Sequence, residues 1–75
     1  MKVSRAQVLA RLRDAGWGFH RRAKRVEIWK KHGSPDRITL PLNDMLDPIF
    51  CRAILREVGL RPHQIESFIA ACIKN

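Results

Sequence analysis

Seventy-five residues with 45% hydrophobic content make one small domain. A chain of this size buries only about 60% of its unfolded surface, so its stability is expected to be marginal. Fifteen lysines and arginines against seven acids leave a net charge of +8, which favours a nucleic acid, an anionic membrane or an acidic protein as partner.

No run approaches membrane-spanning length, and the N-terminus lacks the apolar stretch of a signal peptide. A spanning or secreted protein is therefore not expected, and the cytoplasm is the expected compartment. Along the chain, Ser4 followed by Gln7 reads as a capping box. Val8, Leu9, Leu12 and Ala15 then follow helical spacing, and Gly16 supplies a left-handed stop. A helix is predicted over residues 5–15, with Arg5, Arg11 and Arg13 off its apolar stripe.

Residues 17–22 and 26–31 alternate as strands do. Trp17, Phe19 and Arg21 fall on one face of the first, with Gly18, His20 and Arg22 on the other. In the second, Val26 and Ile28 form the apolar face, opposed by Glu27, Trp29 and Lys31. A tight turn near Ala23 and Lys24 pairs Phe19 with Ile28 and His20 with Glu27. Neither turn residue is Gly or Asn, so the turn type stays open.

Residues 32–36 read as a loop. Residues 37–40 form a third short strand, Ile38 and Leu40 on its apolar face, ended by Pro41. Residues 42–46 connect it to a helix started by Asp47 and Pro48 and stopped by Gly59. That helix carries Phe50, Ala53, Ile54 and Val58 on its apolar face. Arg61 and Pro62 begin a third helix, with Ile65, Phe68, Ile69 and Cys72 at spacings of three and four. The order is α-β-β-β-α-α, an α+β fold. A three-stranded antiparallel meander with helices on one face satisfies the layer rule and leaves the other face wet. The α-β-β-β-α order is also that of the double-stranded RNA-binding domain, here with an additional C-terminal helix at about residues 62–73.

The basic run in the hairpin supplies the candidate binding residues. Arg21, Arg22, Lys24, Arg25, Lys30 and Lys31 neutralise phosphates, and Arg37 extends the face from the third strand. Arg22, Arg25, Trp29 and Lys31 are expected on the polar strand face, with Thr39 beside them. Trp29 there either stacks on an unpaired base or packs under a neighbouring segment. Histidine is the side chain suited to acid–base work near neutrality, and the chain has three, His20, His32 and His63. His20, paired with Glu27, is the candidate acid–base; the alternative is a surface histidine with a cross-strand acid. His32 reads as a loop residue and His63 as surface.

Cys51 and Cys72 sit inside apolar helical patterns and read as small buried hydrophobes. No metal site and no cofactor are expected. The cysteines and histidines lack close paired spacing, Asp44 and Asp47 serve loop and cap, and there is no glycine-rich phosphate loop.

Several segments, in order, resemble the HicA (YcfA-like) family of bacterial toxins. "VLARLRDAG" at residues 8–16 with Trp17 resembles its first helix and strand entry. "RRAKRVEIWKK" resembles its second-strand hairpin, "RITLP" its third strand and "CRAILREVGL" its second helix. The resemblance covers about residues 4–60 of the single domain. It implies a double-stranded-RNA-binding-like fold, metal-independent cleavage of messenger RNA and silencing by an acidic HicB-like antitoxin. It also carries a departure: the family's catalytic histidine falls on Val26, or on Arg25 with a one-residue gap. Valine is neither acid nor base, so cleavage would have to run through His20. The alternative is a silent binding or inhibitory module. The third helix either completes the core or serves a homodimer or antitoxin contact. A membrane-surface role is disfavoured, because the charge clusters on a hairpin rather than along one helix face.

Overall fold

In the computed structural model, which describes residues 1–73, Ser4 accepts a hydrogen bond from the Gln7 amide at 3.5 Å and caps the first helix. That helix, α1, spans Arg5–Asp14, and Gly16 leaves it at φ 93°. A two-residue strand β1 (Val3–Ser4) precedes it. The sheet strands are β2 (Trp17–Ala23), β3 (Val26–Lys31) and β4 (Arg37–Pro41). They form an antiparallel meander in the order β2-β3-β4, with β3 central. A short β5 (Met45–Leu46) pairs with β1; the sequence reading had a loop there. Helix α2 (Pro48–Val58) starts with the Asp47 carboxylate accepting from the Ile49 amide at 2.8 Å and ends at Gly59, φ 105°. Helix α3 (Pro62–Ile73) follows. The protein is thus α+β with three helices.

The helices lie on one side of the sheet. Val8, Leu9 and Leu12 of α1, Cys51, Ile54 and Leu55 of α2, and Ile65 and Ile69 of α3 pack with Trp17, Trp29, Ile38 and Leu40 of the strands. Val3 and Leu46 close the core from the small sheet. Helix α3 thereby completes the core. Ala53, expected on the inner face of α2, is exposed, and Leu55 is buried in its place. Cys51 is buried and Cys72 half-buried, both as free thiols. Burial, with neighbouring Cys72 and Asp47, pushes the Cys51 thiol up to about 11. It stays a protonated hydrophobe at neutral pH. No helix among the described residues is long and apolar enough to cross a membrane.

The hairpin departs from the sequence reading in register and in face. Phe19 opposes Trp29 and Arg21 opposes Ile28, with a bulge between Phe19 and Arg21 that holds His20. The expected pairs Phe19 with Ile28 and His20 with Glu27 do not form. The turn residues are Lys24 and Arg25, closed by the Ala23 and Val26 pair. Trp29 is 1% exposed and points into the core, whereas Val26 and Ile28 are half-buried on the open face. The reason is size. Trp29 has the most apolar surface to remove from water, and burial scales with that area. Glu27 shares its inner face, and its carboxylate is satisfied there rather than solvated.

Candidate nucleic-acid interface

Two of the seven acids are ion-paired among the described residues: Glu27 with Arg5 and Glu66 with Arg52. The Arg5 guanidinium donates to the Glu27 carboxylate and, through Nε, to the Pro41 carbonyl at 2.8 Å. Trp29 Nε1 donates to the same carboxylate oxygen at 3.2 Å. Burial pushes the Glu27 carboxyl upward. The hydrogen bonds from Trp29 and Arg5, with the charges of Arg5 and Arg22, outweigh that and hold it below its ordinary value. Glu27 is therefore a structural clamp between α1 and the sheet. It does not orient His20, which corrects the expected pair.

The open face of the sheet is the cationic one. Cross-strand pairs place Lys30 beside Arg37 and Ile28 between Arg21 and Thr39. Arg21, Lys30, Arg37 and Thr39 are exposed. His20, exposed in the bulge, lies close enough to this group to feel it. Local desolvation and then the charges of Lys30, Arg37 and Arg21 lower its pKa from the ordinary value. The neighbouring cations thus favour the neutral form of the imidazole. Such a group can accept a proton while its neighbours hold a phosphate. Arg37 is partly tethered, its Nη1 donating to the Pro35 and Asp36 carbonyls at 3.2 Å each.

The remaining candidates divide by position. Lys24 and Arg25 form the exposed hairpin tip, Lys24 at φ 46°. Arg22 opposes Glu27, and Lys31 opposes Trp17, so both belong to the inner face rather than to the open one. The Lys31 chain runs against Gly16, where an added Cβ would lie 3.3 Å from Lys31 Cε. Of the two readings of Trp29, packing under neighbouring segments holds and base stacking does not, because burial withdraws the ring from any ligand. Val26 begins β3 between Ala23 and Pro41. His32, just past β3, and His63, in the first turn of α3, are exposed and belong to no strand pair.

Two side chains absent from the sequence reading of the site stand out. Phe19 is 55% exposed, its ring 6.3 Å from that of Trp29 at an interplanar angle of 84°. The Arg13 guanidinium sits 5.2 Å from the centre of the Trp29 ring. Phe19 and Trp29 are cross-strand partners on the same, inner face, Trp29 in the core and Phe19 on the edge strand; the bulge at His20 shifts the register only beyond Phe19. No sequence signal marks that bulge; Phe and Trp are equally good strand residues. No group of three or more histidine, cysteine or acidic side chains gathers into a metal-binding arrangement among the described residues. Set against known protein families, curated proteins and solved structures, the chain matches none.

Proposed function

We propose that this chain is an RNA-binding protein of the HicA toxin type, with a double-stranded-RNA-binding-like arrangement of its helices and meander. One observation carries the reading: the open sheet face gathers Arg21, Lys30 and Arg37 around His20, and none of them is paired with an acid among the described residues. The hairpin tip at Lys24 and Arg25 continues the charge. Phosphates are held by these cations, and ribonuclease chemistry runs through His20 as general base, because Val26 has no proton to exchange. An acidic HicB-like antitoxin is the protein partner this face suits.

A second reading is a silent binding or regulatory module. Two observations favour it: valine stands where the family has its histidine, and Glu27, the carboxylate that would have oriented His20, is held by Arg5 and Trp29.

The test is a gel shift and cleavage assay on labelled RNA without metal, using the wild type, His20→Ala and Lys30→Gln/Arg37→Gln. Salt-sensitive binding is expected, and each lost phosphate contact should flatten the logarithmic salt slope by about 0.7 on a single strand. Cleavage lost in His20→Ala with binding retained assigns the base. Binding without cleavage selects the silent module. No binding to RNA at low salt removes the nucleic-acid reading altogether.

A further inference from the structure

Resting on that reading, we infer that Phe19 is a base-stacking platform, and that the preferred ligand is therefore single-stranded RNA whose unpaired bases reach the β2 edge. Phe19 lies on an edge strand, so one flank of its ring has no neighbouring strand beside it. The ring is also held in place. It meets Trp29 edge-on at a centroid distance of 6.3 Å, and Trp29 is fixed by its core position, its hydrogen bond to Glu27 and the Arg13 guanidinium. The exposed ring thus keeps one fixed aromatic neighbour while more than half of the residue is open to a base.

Charge flanks the ring at both ends. Phe19 and Arg22 share the inner face of β2, opposite Trp29 and Glu27, and Arg13 projects from α1 over Trp29. The bulge at His20 then turns the chain, so that Arg21 and the open-face cations begin immediately beyond Phe19. A strand of RNA crossing this edge meets an aromatic face with cations on either side, the combination that sequence-tolerant single-strand binders use. A duplex keeps its bases stacked on each other and offers this ring nothing but sugar and phosphate. A protein partner could also cover an exposed Phe, but the six exposed cations of the same hairpin favour a polyanion.

Fluorescence polarisation with labelled single-stranded RNA and a duplex of equal length separates the cases. Phe19→Ala is expected to weaken single-strand binding roughly five- to hundredfold, the range for one stacked base, and to leave duplex binding within about twofold. Phe19→Trp is expected to restore single-strand affinity and to show indole quenching on binding, a readout that does not depend on Phe19→Ala folding well. Equal binding by Phe19→Ala and wild type, or equal loss on both RNAs with Phe19→Trp unquenched, overturns the stacking role while leaving an RNA-binding protein. If the wild type binds neither RNA, the RNA-binding reading fails and this inference with it.

Discussion

Glu27 shows how one side chain decides the face of a strand. Alternation placed it on the wet side with Trp29, and it does share a face with Trp29, but that face is the inner one. A carboxylate is tolerated there because Arg5 and Trp29 Nε1 both donate to it. Removing it leaves two donors without their acceptor, so Glu27→Ala is expected to cost about 1–3 kcal/mol in urea unfolding. The pH dependence has a definite sign. The folded carboxyl titrates below its unfolded value near 4.5, so its stabilisation is complete above that pH and is lost as pH falls through the lower folded value. Glu27→Gln should therefore flatten the acid limb of the stability curve. An unchanged acid limb would mean that Glu27 is not clamped in solution.

At the scale of elements, helix ends and the inner face of β4, Ile38 and Leu40, were readable, and the face of β3 was not. Ser4, Gly16, Asp47 with Pro48, and Gly59 act through local hydrogen bonds or a left-handed φ, and each does so in the fold. Strand orientation depends on what lies across the layer, which no local pattern contains. The hairpin turn sits between these cases. It closes at Lys24 and Arg25 with Lys24 at φ 46°, a region that strains a side chain with a Cβ. Lys24→Gly is expected to relieve more strain than it adds in unfolded-chain entropy, a gain of about 0.5–1 kcal/mol. Thermal melting should then rise by roughly 2–8 °C for a domain of this size. A lower melting temperature would show that the Lys24 backbone is relaxed as it stands.

Across the whole molecule, the sheet carries the helices and nearly all the buried apolar surface on one side and the exposed group Arg21, Lys30 and Arg37 on the other. On the proposed RNA-binding reading, this arrangement makes affinity pH-dependent in a predictable direction. Partial desolvation and the charges of Lys30, Arg37 and Arg21 favour the neutral form of His20, and an arriving phosphate opposes them. Binding then takes up a proton, so RNA affinity is expected to strengthen as pH falls from about 8 towards 5.5, through the range where histidine titrates. His20→Gln should remove most of that slope and His32→Gln should not. A slope that survives His20→Gln would place the titrating group elsewhere.

By itself the sequence determined the α+β class, the order of the three helices and the three-stranded meander, the capping residues and the excess of positive charge. These follow from periodicity, cap chemistry and composition, all of which act over a few residues or over the whole chain at once. Only the tertiary structure decided the bulge at His20, the burial of Trp29, the exposure of Phe19 and the capture of Glu27 by Arg5. Those depend on which side chains compete for one core across 22 or more residues of chain, as the Arg5 and Glu27 pair does. The competition is settled by apolar area and by whether each buried polar atom finds a partner, and neither quantity exists until the layers meet.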